Sequence, residues 1–298
     1  MKKFLFTTTL LFIGLIVFSQ SVNWLKTYGV SGGETRDLAI DVHGNIYAVG
    51  SANNRNMVIN GVPVNTMGGF DAFVVKYSPD GELIWFKPIG GAGTDVGLQI
   101  EADTNSKIYV SIFSNSSPLR VADSSLSSAV AGILRFDSSG TFEKVLTTGM
   151  TVYDMKYYMG SLFFRTFGNT LFKSNLNGGT IWSKPISGSN FLNNILLTQP
   201  ESSLEITPHG NIIFTSASNG NYTYDGVTVT NSSGSAVIAT LIDTNSNLIR
   251  NYAWGMNAGA TIMPRSAIVD ANHNVYMAVS FPASYTNTFG SSTILHLQ

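Results

Sequence analysis

The sequence predicts an all-β fold built from repeated four-stranded units. Only 12% of the 298 residues are charged, whereas Gly, Ser, Thr and Asn are abundant and aromatic residues reach 11%. This composition is typical of many short strands joined by tight turns. After the N-terminal apolar run, no long stretch of good helix formers repeats at about 3.6 residues. The third observation is an internal motif that recurs along the chain.

The first nineteen residues have the pattern of a secretory signal. Met1, Lys2 and Lys3 precede an apolar run that ends at Phe18, and small or polar residues follow. The apolar run is shorter than the roughly 20 residues that a membrane-spanning helix needs. We expect cleavage near Ser19 and a single domain over residues 20–298. The mature domain is then secreted, or held in the periplasm or at the cell surface, without a membrane span.

The composition also limits the chemistry of the chain. It has no cysteine, which excludes disulfides, thiolate catalysis and cysteine-ligated metals. The leader holds two of the 17 basic residues and none of the 18 acidic ones, so the mature chain is acidic. Binding to nucleic acid or to an anionic membrane requires a basic face, and none is expected here. We expect a monomer without a cofactor.

A seven-residue motif recurs at spacings of roughly 50 to 63 residues. Its first copy has Asp41 at the start, Gly44 and Asn45 in a turn, and Tyr47 at the start of a strand. Asp or Thr at the first position can accept hydrogen bonds from backbone amides further along the turn. The copies begin at positions 41, 103, 157, 207 and 270, and the copy at 157 is degenerate.

A second element follows the first four copies and consists of two apolar strands joined by a polar turn. Its clearest copy has strands at 71–77 and 82–90 around a Ser-Pro-Asp-Gly turn. Each unit is therefore a strand, turn, strand, connection, strand, turn and strand. Such units at this period are typical of β-propeller blades, which stack because one blade cannot bury both faces. The predicted blades are 33–90, 95–149, 150–188, 195–256, and 262–298 completed by 22–29.

The two ends of the chain suggest how this ring closes. Residues 22–29 match a fourth strand, with Trp24 aligned on Trp85, whereas residues 292–298 match a third strand. Pairing the leading strand with the last blade removes exposed sheet edges and gives a closed five-bladed ring. The alternative is that the chain is a fragment of a six- to eight-bladed propeller.

The connections between second and third strands predict small extra hairpins. Asn-Gly lies within residues 58–64 and Asp-Gly within 222–229, each between short β segments. These dipeptides are strong hairpin signals. Residues 118–126 are a third candidate.

Three motifs resemble the β-propeller repeat of secreted bacterial proteins. They are Asp-x-x-Gly-Asn-Ile-Tyr-x-x-Gly at 41–50, Gly-Phe-Asp-Ala-Phe-Val-Val-Lys-Tyr at 69–77 and Gly-x-Leu-Ile-Trp at 81–85. The likeness is strong over 36–90 and weaker in the other copies. NHL-type repeats are more distantly similar, and the signatures of WD and kelch repeats are missing. The resemblance implies an extracytoplasmic propeller, often one module of a larger surface protein, and implies no shared catalytic residues.

Few residues predict chemistry. His43, His209 and His273 occupy equivalent turns of different blades, which predicts structural roles because equivalent turns do not converge, and His296 is predicted to pack or lie at the rim. Asp103 and Asp243 offer one carboxylate each, too few for a calcium loop, and are predicted to cap turns. No metal site and no catalytic residue is predicted from these positions.

Carboxylates on the first strands are the one enzymatic candidate. Aligning the motif copies without gaps places Asp37, Gln99, Tyr153, Ser203 and Ser266 at one level. Two residues further on, it places Ala39, Glu101, Met155, Glu205 and Ile268 at another. Asp37, Glu101 and Glu205 are therefore the candidate trio for a glycoside hydrolase of the five-bladed type, which pairs carboxylates around the axis.

The aromatic residues divide into two groups. Tyr47, Tyr77, Tyr109, Trp85 and Trp182 recur at equivalent positions and are predicted to pack between blades. Tyr222, Tyr224 and Tyr285 lie outside the repeat and are better candidates for ligand contacts. We expect a non-enzymatic propeller that binds an unidentified protein or glycan or acts as a scaffold. The alternatives are the glycoside hydrolase and a structural spacer.

Overall fold

The computed structural model describes residues 33–52, 57–59, 62–64, 66–188, 203–218, 220–230, 235–256, 263–272 and 274–280. The predicted leader (1–19), the strands at 22–29 and 292–298, and His273, Tyr285 and His296 lie outside these residues. The described ranges are all-β, with strands and turns and no α-helix. They therefore contain no helix that is long and apolar enough to cross a bilayer.

Blade 1 and blade 2 are antiparallel sheets whose four main strands follow chain order, and each blade adds a hairpin between its second and third strands. Blade 1 contains β1 (Gly33–Ile40), β2 (Ile46–Ala52), the hairpin β3 (Met57–Ile59) and β4 (Val62–Val64), β5 (Asp71–Tyr77) and β6 (Leu83–Gly90). Blade 2 contains β7 (Asp95–Ala102), β8 (Ile108–Ser114), the hairpin β9 (Leu119–Val121) and β10 (Ser124–Leu126), β11 (Ala131–Phe136) and β12 (Phe142–Thr147).

Blade 3 has the four main strands without the hairpin, blade 4 has both, and blade 5 begins the same order again. Blade 3 contains β13 (Val152–Tyr158), β14 (Ser161–Thr166), β15 (Thr170–Asn175) and β16 (Thr180–Pro185). Blade 4 contains β17 (Leu204–Ile206), β18 (Ile212–Ser218), the hairpin β19 (Tyr222–Tyr224) and β20 (Val227–Val229), β21 (Ser235–Ile242) and β22 (Leu248–Met256). The described part of blade 5 is β23 (Met263–Val269) and β24 (Val275–Ser280).

The blades stack through apolar faces. The first strands are neighbours in the order β1, β7, β13, β17, β23, and the space between them is called the central channel below. A separate buried apolar cluster fills each boundary between successive blades. Tyr47 and Trp85 lie in the cluster between blades 1 and 2, Tyr109 in the next and Trp182 in the third. Tyr77 is buried on the opposite face of blade 1.

The first turns of blades 1, 2 and 5 are held by the carboxylate that begins the motif, namely Asp41, Asp103 and Asp270. The amides of His43 and Asn45 each donate to Asp41 Oδ1 at 2.9 Å, and the Tyr47 hydroxyl donates to Oδ2 at 2.9 Å. Asp103 accepts the equivalent hydrogen bonds in blade 2. In the third-to-fourth-strand turn of blade 4, Asp243 accepts two backbone amides. The predicted turn-capping role of Asp103 and Asp243 is confirmed.

All three predicted hairpins are present, and two of them join neighbouring blades. The hairpin β9–β10 pairs with β6 of the preceding blade through Ile89 and Val121, which extends that sheet to six strands. The hairpin β19–β20 reaches the edge of blade 3 through a bridge between Ser187 and Thr223. These two hairpins therefore connect neighbouring blades.

The boundary between blades 1 and 2 has a polar latch that recurs between blades 3 and 4. Lys76 Nζ and Trp85 Nε1 both donate to the Ser138 carbonyl at 3.1 Å. Lys87 pairs with Asp123 of the next hairpin at 3.1 Å. The matching latch uses Lys173 and Trp182, which donate to the Thr244 carbonyl at 3.1 Å, and the ion pair of Lys184 with Asp225 at 2.6 Å.

Candidate functional site

Ionisable side chains from four blades converge in the central channel. They are Asp37 on β1, Glu101 on β7, Lys156 on β13 and Glu205 on β17. Lys156 Nζ lies 3.3 Å from Glu101 Oε1 and 3.5 Å from Glu205 Oε1. We call these four residues the channel cluster.

Asp37 joins the channel cluster from the side of blade 1. Its Oδ2 accepts a hydrogen bond from the Ile100 amide at 2.9 Å, which fixes the carboxylate against blade 2. Its charge interacts with Lys156, Glu101 and Glu205. The structure therefore brings the predicted trio of Asp37, Glu101 and Glu205 together.

Lys156 was not predicted, because the gap-free alignment placed Met155 at its level. That placement is wrong: Lys156 pairs with Phe163 as Glu101 pairs with Tyr109, and Met155 is fully buried in the core. The cause is a shorter turn in blade 3, where Met159 and Gly160 alone connect the strands at φ of 45° and 73°. Two successive positive φ values characterise a tight two-residue hairpin, and Met-Gly is a weak sequence signal for it.

The alignment is also wrong at Tyr153, which it placed at the same level as Asp37, and the shorter turn of blade 3 is again the reason. In blade 3 the register shift lies between Val152 and Asp154, so Asp154 takes the level that was assigned to Tyr153. Corresponding register shifts precede Asp37, Gln99 and Ser266. A β-bulge adds one residue to a strand and redirects the side chains around it.

The electrostatics of the channel cluster follow from its burial. Burial raises the pKa of Glu101 to about 7, although the charge of Lys156 opposes this. Burial also raises the pKa values of Glu205 and Asp37. For Lys156, burial alone would lower the pKa, but the charges of Glu101, Glu205 and Asp37 raise it above its ordinary value. At neutral pH the cluster thus combines the charged ammonium group of Lys156 with the Glu101 carboxyl group, which is close to its midpoint of ionisation.

The cluster remains open to solvent. The side chains of Glu101, Lys156 and Glu205 are 16%, 27% and 35% exposed. Glu101 Oε1 and Glu205 Oε1 both lie within 3.5 Å of Lys156 Nζ, so the ammonium group bridges the two carboxyl groups. Chemically, the site can accept hydrogen bonds from hydroxyl or amino groups and donate them from Lys156.

The remaining candidates lie elsewhere. His43 and His209 are exposed in separate turns, and His209 Nε2 lies 3.3 Å from the Ala271 carbonyl oxygen. Within the ranges given above, no three His, Cys, Asp or Glu side chains are grouped to hold a metal ion. The expectation that Tyr222 and Tyr224 contact ligand is wrong, because both are fully buried. They anchor the hairpin β19–β20 to the core of blade 4.

Stacked four-stranded antiparallel sheets around a channel define the fold as a β-propeller. No protein-family model matches the chain, and no curated protein matches it. The resemblance to the secreted bacterial repeat family therefore stays a prediction.

Solved structures with a similar fold include three proteins of about 10% identity, so the likeness concerns the fold alone. A protein of unknown function from Bacteroides caccae has a TM-score of 0.40 at 10% identity, covering 80% of this chain and 87% of that one. The allergen Mala s 1 of Malassezia sympodialis has a TM-score of 0.45 at 10% identity, covering 88% and 75%. The Dos1 propeller has a TM-score of 0.42 at 9% identity, covering 82% and 74%.

Proposed function

We propose that the protein is a non-enzymatic, extracytoplasmic binding module that takes a glycan or protein ligand at the channel cluster. The observation that carries this proposal is the convergence of Asp37, Glu101, Lys156 and Glu205 from four separate blades at a solvent-accessible place.

The cost of the arrangement supports a functional role. Withdrawing charges from water is unfavourable, and the raised pKa of Glu101 records that cost. Strongly perturbed ionisable groups in a cleft are enriched at functional sites. Sugar hydroxyls, or the amide and amino groups of a peptide, would satisfy the carboxylate oxygens that Lys156 leaves open.

The test is a glycan-array and pull-down screen of residues 20–298, repeated with Glu101→Gln and Glu205→Gln. We expect both variants to weaken binding of the recovered ligand at least tenfold. Glu82→Gln is the matched control, because Glu82 is exposed on a turn outside the channel. A ligand bound equally well by all four proteins would place the binding site elsewhere.

The extracytoplasmic location rests on the predicted leader. Expression of the full chain in a bacterial host should give a mature protein in the periplasm or medium whose N-terminus lies close to residue 20. Retention in the cytoplasm with Met1 still present would contradict it.

A glycoside hydrolase is the second candidate, because one observation favours it. A carboxyl group with a pKa near 7 beside a second carboxylate is the pairing that glycosidases use as acid and base. Lys156, which contacts both carboxylates, stands against it. Turnover of aryl glycosides that disappears in both Glu101→Gln and Glu205→Gln would favour the hydrolase over the binding module.

We also propose that the fold is a five-bladed ring in which residues 22–29 supply the fourth strand of blade 5. The match of these residues to 83–90 supports this assignment. Deleting residues 22–29 should unfold the domain or make it associate through the freed edge. A deletion variant as stable and monomeric as the parent would refute it.

A further inference from the structure

Two acidic side chains are buried together where blade 1 meets blade 2. Asp71 begins β5 and is 4% exposed, and Asp95 begins β7 and is 0% exposed. The Gly91 amide donates a hydrogen bond to Asp95 Oδ2 at 2.9 Å, and it also interacts with the Asp71 carboxylate. The two carboxyl groups therefore lie against the same backbone amide.

Each of these carboxylates has one oxygen that accepts hydrogen bonds and one that does not. Asp71 Oδ2 accepts the amides of Met67 and Gly68. Asp95 Oδ2 accepts the Ser116 hydroxyl at 2.7 Å. Asp71 Oδ1 and Asp95 Oδ1 are buried and have no hydrogen-bond partner among the described residues. A buried carboxylate oxygen without a partner is costly, so these two atoms indicate a ligand that carries positive charge.

The pair has no cationic side chain to balance it. None of the ion pairs among the described residues includes Asp71 or Asp95. Burial raises the pKa of Asp71, and the negative charge of Asp95 raises it further. Buried charges of one sign require a counter-charge, a proton or a metal ion. The described side chains leave the pair without a counter-charge.

The two carboxylates occupy positions that hold apolar or small residues in other blades. Asp71 lies opposite the last residue of the second strand, and the residues at this position in blades 2 and 4 are Val130 and Ala236. Asp95 has Gly33 as its equivalent in blade 1. Among these blades the acidic pair is therefore specific to one boundary, which favours a role in binding over a general role in blade packing.

Neutral oxygen atoms approach the carboxylates because the adjoining segment is rich in glycine. Asp71 Oδ1 faces Gly90, where a β-carbon would lie only 1.9 Å away. A β-carbon on Gly91 would lie 2.6 Å from the Pro118 carbonyl oxygen and 2.9 Å from Ser116 Oγ. The absence of side chains at both glycines thus brings carboxylate, carbonyl and hydroxyl oxygens close to one another.

This set of donors indicates the class of ion. It contains oxygen atoms only, whereas zinc prefers histidine nitrogen and cysteine sulfur. Calcium takes about six to eight oxygen ligands in a flexible geometry, including backbone carbonyls, whereas magnesium demands a near-ideal octahedron. Two carboxylates balance the charge of one calcium ion, and neutral oxygens complete its coordination.

We propose that Asp71 and Asp95 bind a calcium ion at the boundary of blades 1 and 2, with Oδ1 of each as a ligand. Ser116 and Pro118 lie beside them as sources of neutral oxygen ligands. The site is separate from the channel cluster, because Asp95 and Glu101 lie at opposite ends of β7, roughly 20 Å apart along the strand. The ion ties β5 to β7 and stabilises this boundary, whether or not the channel binds a ligand.

Thermal unfolding of residues 20–298 in CaCl2, in MgCl2 at the same ionic strength and in EDTA tests the site. In about 10 mM CaCl2, at least tenfold above the constants typical of extracellular calcium modules, we expect the melting temperature to rise by at least about 3 °C. The rise should disappear in Asp95→Asn. It should remain in Asp80→Asn, which changes an exposed aspartate of blade 1, and in Glu101→Gln, which changes the channel cluster.

Several results would overturn the proposal. No rise in the parent would show that a shared proton, and not a metal ion, neutralises the carboxyl pair. A rise that Asp95→Asn retains and Glu101→Gln loses would assign the ion to the channel cluster. An equal rise in MgCl2 would show general screening of charge.

A second measurement needs no variant and decides the question if Asp95→Asn fails to fold. Hydrogen exchange of the parent is followed by mass spectrometry with CaCl2 and with EDTA. Calcium should slow exchange at least about tenfold in residues 66–71, 90–95 and 114–118, and leave residues 203–206 of the channel unchanged. Unchanged exchange in the first three segments would contradict the site. A chain that binds calcium here but no glycan or protein would refute the binding function and leave this inference standing.

Discussion

At the scale of single residues, Asp41 shows how one carboxylate organises a turn and the strand after it. Burial opposes its ionisation, but hydrogen bonds from Asn45, Tyr47 and His43 outweigh that effect and lower its pKa. A carboxyl group with a lowered folded-state pKa stabilises the fold above its unfolded pKa. That stabilisation is lost as the pH falls through the folded-state value.

Asp41→Ala should therefore lower the free energy of unfolding by about 1–3 kcal/mol at pH 7, since several donors lose their acceptor. The difference from the parent should shrink towards pH 3. Urea titrations at the two pH values measure it. Asp80→Ala, in an exposed turn of the same blade, is the control and should change stability by less than about 0.5 kcal/mol. A loss at Asp41 that is the same at both pH values would contradict this account.

Lys156 balances the carboxylates of the channel cluster. Lys156→Met removes the ammonium group that contacts Glu101 and Glu205, and leaves their charges without that partner. We expect a loss of about 1–3 kcal/mol at pH 8, where the carboxylates are ionised, and a smaller loss at pH 5. Chemical denaturation at both pH values checks this, with Lys144→Met on β12 as a lysine control outside the channel. Equal losses at pH 5 and pH 8 would show that Lys156 acts through packing alone.

The sequence predicted three of the four residues in the channel cluster. Asp37, Glu101 and Glu205 were found because the first turns of blades 1, 2 and 4 have the same length. Lys156 was missed because the turn at Met159 and Gly160 is shorter, which shifts every residue of β13 by one position. A one-residue change reverses the face of each side chain in a strand, and propensity alone does not reveal it.

At the scale of elements, neighbouring blades are joined by the polar latch, which contains Trp85 at one boundary and Trp182 at another. Trp85→Phe and Trp182→Phe each remove one hydrogen bond to a carbonyl of the next blade. We expect similar losses of about 0.5–1.5 kcal/mol in unfolding free energy. Thermal and urea denaturation of both variants measure them. A large loss in one variant with none in the other would show that the two boundaries are not equivalent.

For the hairpins, the turn could be predicted from the sequence, whereas the pairing with a neighbouring blade could not. Asp225 and Gly226 have φ of 49° and 76°, which is the conformation that Asp-Gly favours in a two-residue turn. The hairpin β19–β20 was therefore predictable from local chemistry. The pairing of β9 with β6 was not, because it joins residues that local patterns do not relate.

At the scale of the whole molecule, the repeat predicted an all-β propeller of four-stranded units, and the structure has this architecture. The repeat could not predict the depth of the channel cluster, because burial depends on how closely the blades approach. Burial in turn determines the charge state of the cluster and its dependence on pH. Four blades bring Glu101 beside Lys156 in the central channel, where Glu101 is largely buried.

The ionisation of Glu101 tests that claim. Its pKa is raised from 4.5 to about 7, so the folded state retains a proton between these values that the unfolded chain loses. Folding stability should therefore fall as the pH rises through this window, by up to about 1.4 kcal/mol per unit, and Glu101→Gln should flatten the dependence.

The most direct measurement is a carbon-13 NMR titration of the Glu101 carboxyl group in the parent and in Lys156→Met. We predict a midpoint near pH 7 in the parent and a higher midpoint in the variant, because the ammonium charge that lowers the pKa is gone. An ordinary midpoint near 4.5 that is unchanged by Lys156→Met would contradict the enclosed cluster on which the proposed function depends.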